Sequence, residues 1–121
     1  MVLVDTSVWV DHLHRGEAGL SRLLLDEAAG LHPFVLGELA AGNLKSRVAT
    51  LGMLASLPRA PVAPESEVHH LLESRRLWGA GLGWVDLHLL ASAMVAGWRL
   101  FTADRALGKA AAALGIEFPQ R

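Results

Sequence analysis

The chain has 121 residues, with 12 acidic and 11 basic side chains for a formal net charge of −1, six histidines and no cysteine. That length suits one domain with a single core and no covalent staple. The missing thiols exclude disulfides and thiolate zinc sites, and a charge so near neutrality announces no nucleic-acid partner by itself. The start, MVLVD, lacks the basic n-region of a signal peptide. The longest apolar stretch, GWVDLHLLASAMVAG from Gly83 to Gly97, is too short and too interrupted to span a bilayer. A cytoplasmic protein with no membrane segment is expected. Hydrophobic residues make up 52% of the chain without counting glycine, and four of the seven aromatics are tryptophan. An excess of that kind predicts that another chain covers some apolar surface.

Val2-Leu3-Val4 predicts a buried strand ending at Asp5. The Asp5-Thr6-Ser7 cluster caps a short helix carrying Val8, Trp9, Val10 and Leu13. Glu17 to Ala29 has helical spacing at Leu20, Leu23, Leu24 and Ala28, with Gly30 as its stop. Leu31-His32 is at most a very short strand. Pro33 suits a first helical position, and Phe34 to Ala41 continues from it as far as Gly42-Asn43. Lys45 to Leu57 repeats apolar residues at Val48, Leu51, Leu54 and Leu57. Between Pro58, Pro61 and Pro64, Arg59 to Val62 reads as an edge strand. Glu65 to Arg76 is a helix carrying Val68, Leu71 and Leu72, and Trp78 to Trp84 is a glycine-rich loop. The apolar helix ending at Gly97 follows, then a strand over Arg99 to Thr102. Asp104 opens an alanine-rich helix that Gly115 closes, and Ile116-Glu117-Phe118 is a last strand. Strands alternating with helices, with no repeat or linker, predict one α/β domain over residues 1–121 with a mostly parallel sheet. Its crossovers should be right-handed.

Four acids stand out against this frame. In open α/β sheets, ligands collect beyond the carboxyl ends of strands. Asp5 ends the first strand, and Asp104 lies two residues past the strand over Arg99 to Thr102. Each also precedes a helix, where aspartate is a favoured N-cap worth about 1 kcal/mol. Glu38 sits in FVLGELAA with no lysine or arginine within four residues, so no local ion pair explains it. Gly37 beside it permits close approach of a backbone or a ligand. Asp86 falls four residues before Leu90 and seven before Ala93, on or beside the buried stripe of its helix. Its alternative is a charge favoured by the helix dipole. Four separate structural readings are therefore available. One joint reading covers all four: Asp5, Glu38, Asp86 and Asp104 converge at one end of the sheet around Mg²⁺ or Mn²⁺, since oxygen-only ligands suit hard cations. Committing four acids to a metal would leave the rest of the surface with a net positive charge.

MVLVDTSVWVDHL, HPFVLGELAAGNL, GLGWVDLHLLASA and LFTADRAL, in that order across nearly the whole chain, together resemble a PIN-domain ribonuclease. More closely, they resemble the VapC toxins of bacterial toxin–antitoxin pairs. The resemblance implies a PIN-like α/β fold, with a small, mostly parallel sheet of 4–5 strands flanked by helices on both faces. It implies a quartet of metal-binding acids, falling on Asp5, Glu38, Asp86 and Asp104. The hydroxyl that follows the first acid falls on Thr6 or Ser7, and the one ahead of the fourth falls on Thr102; each would hydrogen-bond a carboxylate from behind. The implied reaction is hydrolysis of an RNA phosphodiester, leaving a 5′-phosphate and a 3′-hydroxyl. Implied partners are RNA, with tRNA as one candidate class, a cognate VapB-type antitoxin, and a second copy of the chain in a homodimer. The segment from Lys45 to Arg76 carries little of the family pattern.

RNA needs positive charge around an acidic pit. Arg15, Lys45, Arg47, Arg75, Arg76 and Arg105 are candidates, and Lys45 with Arg47, just after the Glu38 helix, ranks first. Each is also explicable as a solvated surface charge. His12 and His14 do not share a helix face, and adjacent His69 and His70 have no metal spacing. His88 is expected at a subunit boundary, and Trp9, Trp78, Trp84 and Trp98 at core or interface positions rather than under bases. Gly79 to Gly83 is no phosphate cradle, since no strand precedes it and no Lys-Ser/Thr follows. Two other classes compete. A non-catalytic PIN-like RNA- or protein-binding module would be favoured by loss of one acid, and all four are present. A phosphoacceptor signalling domain would need paired acids after the first strand and an aspartate in mid-chain, and no aspartate lies between Asp26 and Asp86.

Overall fold

A computed structural model describes residues 1–119. Strand β1 (Val2–Val4) is the centre of a parallel sheet, with β2 (Ala29–Gly30) on one side and β3 (Arg99–Phe101) on the other. Val2 pairs with Ala29 and Arg99, and Leu3 with Gly30 and Leu100. A strand covered on both faces must be apolar throughout, and all three residues of β1 are buried. Beyond the ladders, single bridges join Leu31 to Arg59 at one edge and Leu100 to Glu117 at the other. Five segments thus lie side by side, of which three form ladders. The Arg59 segment stops after one bridge, between prolines that have no N–H to donate.

Helix α1 (Thr6–Arg15) follows β1 at once, with Asp5 as its N-cap, and stops at Gly16, which takes a positive φ of 77°. Helix α2 (Ala18–Leu25) is capped by Glu17, whose carboxylate accepts from the N–H of Gly19 and Leu20. It ends four residues earlier than the sequence pattern predicts. Glu27 turns left-handed at φ 53°, and Ala29 and Gly30 leave for the sheet. Gly30 is therefore a strand residue rather than a helix stop. Its reason is steric, since a Cβ there would lie 2.3 Å from Cζ3 of Trp98.

Helix α3 (Pro33–Ala41) starts with proline at its first position. Helix α4 (Arg47–Ala55) is shorter than the apolar spacing suggests. Leu54 is buried and Leu51 and Leu57 are half-buried, but Val48 is 88% exposed. Helix α5 (Glu65–Ser74) packs on α6 (Trp84–Ala96), which also lies against β3. Seven consecutive residues of α6, Leu87 to Ala93, are buried. A helix buried all round is apolar all round, which accounts for the long apolar stretch without a membrane. No helix among the described residues is long and apolar enough to cross one. Helix α7 (Arg105–Ala113) completes the chain of elements.

Candidate active site

The parallel sheet ends in the residues after β1 and β3, and those residues carry two of the four acids, Asp5 and Asp104. Asp5 is buried, and three donors hold its carboxylate. The N–H of Thr6 donates to Oδ1 at 2.8 Å, and the hydroxyls of Ser7 and Thr102 each donate to Oδ2 at 2.8 Å. The same hydroxyls accept in turn: Ser7 from the N–H of Ala103 at 3.0 Å, and Thr102 from the N–H of Asp104 at 3.0 Å. This short relay welds the end of β1 to the turn after β3. A carboxylate has about four lone-pair positions, so Asp5 retains acceptor capacity.

Asp104 is exposed and is the N-cap of α7, its Oδ2 accepting from the N–H of Leu107 at 2.9 Å. Glu38 is exposed on α3, and its Oε1 accepts from the hydroxyl of Thr6 at 2.6 Å. Asp86 is half-buried at the third position of α6, its Oδ2 accepting from the N–H of Gly83 at 2.9 Å. Capping and site membership are thus not alternatives. In Asp104 and Asp86 one carboxylate oxygen secures a helix start, and the second oxygen makes no hydrogen bond within the described residues. The space beside Gly37 is open: a Cβ there would meet nothing within 4 Å among the described residues.

The four acids share one field. Burial raises the Asp86 carboxyl above its ordinary value, the Gly83 N–H opposes that, and the charges of Asp5, Asp104 and Glu38 raise it further. Among the described residues, the ion pairs are Asp11–Arg15, Asp26–Arg22 and Glu65–His69, so no cationic side chain is paired with any of the four. Among the same residues, no three His, Asp or Glu side chains are arranged to enclose a metal ion as they stand.

Of the two cations ranked first, Lys45 is exposed, and Arg47 donates to the carbonyls of Ala40 at 2.7 Å and Gly42 at 3.3 Å, closing the end of α3. Trp9 is fully buried in the core, Trp98 lies over Gly30, and Trp78 and Trp84 are exposed. His88 is buried within the chain. Its ring meets Phe34 and Trp84 at centroid distances of 4.8 and 5.0 Å, and its Nδ1 has no hydrogen-bond partner among the described residues.

Sequence reading passed over His32 and Ser92. The His32 ring is fully buried at the start of α3, where Nδ1 accepts from the N–H of Phe34 at 3.0 Å. With Nδ1 accepting, Nε2 must carry the proton of a neutral ring. It donates to Oγ of Ser92 on α6 at 3.1 Å, and that Oγ also accepts from the N–H of Ala63 at 3.1 Å. Burial, and then the neighbouring His88, push His32 down to about 4. The network ties the helix bearing Glu38 to the helix bearing Asp86. Its only signal in the sequence is a polar residue before Pro33 and a serine inside an apolar helix.

The PIN domain family model matches residues 2–113. Among curated proteins, Ribonuclease VapC32 of Mycobacterium tuberculosis strain CDC 1551 / Oshkosh is 50% identical over 117 residues, 96% of this chain and 94% of its own length. Ribonuclease VapC32 of strain ATCC 25618 / H37Rv matches to the same extent, 50% over 117 residues.

Proposed function

We propose, on the premise that this chain belongs to the PIN-domain family in its VapC ribonuclease branch, that Asp5, Glu38, Asp86 and Asp104 hold a divalent cation at which RNA is hydrolysed. The chain is a ribonuclease of that family, the toxin member of a VapBC-type pair, whose partners are RNA and a VapB-type antitoxin. The observation that carries the site is the shared field at Asp86: burial first, and then the charges of three further carboxylates, raise it, and among the described residues no side chain of opposite charge is paired with any of the four.

The donor set is all oxygen, which fits Mg²⁺ or Mn²⁺. The acids do not close around an ion by themselves, and Mg²⁺ ordinarily keeps several waters between itself and its carboxylates. A divalent cation held by these residues would supply a lowered water pKa and neutralisation of charge on a phosphodiester. The protein's own part is positioning. Thr6, Ser7 and Thr102 fix the carboxylates of Glu38 and Asp5, while the helix starts at Gly83 and Leu107 fix Asp86 and Asp104. We read Lys45 and Arg47 as contacts to RNA phosphate, residues 1–121 as one PIN domain, and the assembly as a homodimer. Exposed Val10, Leu13, Met94 and Val95 offer apolar surface for that last contact.

The test is cleavage of a mixed RNA pool with Mg²⁺ or Mn²⁺, with EDTA, and with Asp86→Asn. The expected result is metal-dependent cleavage that the variant loses. RNA binding without cleavage in any metal, together with no Mn²⁺ binding by calorimetry, would favour the non-catalytic module.

A further inference from the structure

We propose that His32 and Ser92 are positioning residues for the metal site, their hydrogen bond setting the spacing between Glu38 and Asp86. The inference rests on the four-acid metal reading above and adds two residues that act through their helices, since both are fully buried. Helix α3 lies mainly on α1 and α4, and α6 mainly on α5 and β3. What joins α3 to α6 is a file of side chains. His32 meets Ser92 at 3.1 Å, and Phe34 meets His88 at a centroid distance of 4.8 Å. Glu38 comes next on α3, close enough to Asp86 for its charge to act on that carboxyl. As the chain runs forward along α3, its partners thus step backward along α6. Each acid lies six residues from the His32–Ser92 tie on its own helix, about 9 Å along the axis.

Like charges on Glu38 and Asp86 push the two helices apart, and something must hold their spacing before a cation arrives. Phe34 and His88 resist by packing, which is non-directional. The His32–Ser92 bond is directional, and among the described residues it is the hydrogen bond that connects the start of α3 to α6. Its two ends are themselves fixed. Nδ1 of His32 accepts from the N–H of Phe34, and Oγ of Ser92 also accepts from the N–H of Ala63. A satisfied buried network of this kind rigidifies what it connects. Packing alone does not call for it: Ser92 stands between Ala91 and Ala93 in an apolar helix, where alanine would fill nearly the same space. The hydroxyl is what serine adds.

The test is Mn²⁺ affinity by calorimetry at pH 7, with urea stability measured beside it. His32→Asn keeps an acceptor for the Phe34 N–H and is too short to reach Ser92. His32→Gln carries an amide N–H at the reach of Nε2 and gives up the cap. Ser92→Ala removes the bond from the other side. The expected result is a Mn²⁺ Kd raised about 2- to 30-fold in His32→Asn and in Ser92→Ala, the range for residues that act on a site without touching its ligand. The double variant should bind no worse than the weaker of its parents, because one bond is lost only once. His32→Gln should stay near the wild type. Leu23→Ala, a core truncation on α2, should lower stability and leave Kd unchanged. Wild-type Kd in both His32→Asn and Ser92→Ala would overturn the inference and leave a merely structural tie. So would equal losses in His32→Gln and His32→Asn, or a Kd that rises in Leu23→Ala as well. Should Ser92→Ala not fold, the two His32 variants decide. A wild type that binds no Mn²⁺ would instead sink the four-acid reading, and the positioning role with it.

Discussion

The hydroxyl of Thr6 donates to Oε1 of Glu38 at 2.6 Å, across a separation of 32 residues. Thr6 is also the residue whose N–H holds Oδ1 of Asp5. One residue therefore sets the position of two carboxylates, one through its backbone and one through its side chain. Thr6→Val removes only the second of these at nearly constant shape. Removing a hydrogen-bond partner behind a ligand typically costs about 10- to 100-fold in metal affinity or activity. Mn²⁺ titration by calorimetry should show a loss on that scale, and Thr6→Ser should restore it. Unchanged Mn²⁺ affinity in Thr6→Val would mean that Glu38 stands clear of the metal.

Asp86 should make the metal-free protein less stable than its asparagine variant. Its folded-state carboxyl is raised from 3.8 by burial, and then by Asp5, Asp104 and Glu38. Between the unfolded value and the raised folded one, the folded chain holds a proton that the unfolded chain has released. The associated stability is present below the unfolded value and is lost as pH climbs through the folded one. Asp86→Asn keeps an acceptor for the Gly83 N–H and removes the charge. In EDTA at pH 7 its Tm should exceed the wild type's, by an amount that solvent screening of a half-exposed carboxylate keeps small. Added Mn²⁺ should raise the wild-type Tm and leave the variant unmoved; a variant that melts lower in EDTA counts against the repulsion.

His32 gives the pH dependence the opposite sign. Its folded value of about 4 lies below the ordinary 6.5, so the folded chain holds fewer protons between those values. The stability it contributes is present above 6.5 and lost as pH falls toward 4. His32→Asn can still cap α3, because asparagine is a good N-cap, but it cannot titrate. Urea midpoints measured from pH 4 to 7 should fall less steeply on acidification in the variant. Some slope should remain, since burial also lowers His88. Parallel curves for the two proteins would exclude the buried neutral imidazole.

Gly30→Ala should destabilise the sheet directly. The new methyl would sit 2.3 Å from Cζ3 and 2.9 Å from Cη2 of Trp98, and the ring must move to admit it. Overpacking of this kind costs about 1–3 kcal/mol. Urea denaturation followed by tryptophan emission should report both the loss and the displaced indole. A midpoint equal to the wild type's would show that Trp98 relaxes freely.

The sequence by itself determined the α/β class, the strand at Val2–Val4, the proline start of α3, the buried α6 and the Asp104 start of α7. These follow from local periodicity, capping chemistry and run length, which neighbours in the chain carry. The four acids were also legible, because a carboxylate in an apolar helix or at a strand end is locally conspicuous. Their hydrogen bonds were not. The Thr102 bond to Asp5 spans 97 residues and the His32 bond to Ser92 spans 60, and no short-range pattern records a contact between segments that meet only after folding. The same holds for the errors at the edges. Gly30 looks like a helix stop until Trp98 is laid over it, and Val48 looks like core until α4 turns that face to solvent. Local pattern decides which elements form, and only tertiary packing decides what each side chain touches, because burial depends on neighbours far along the chain.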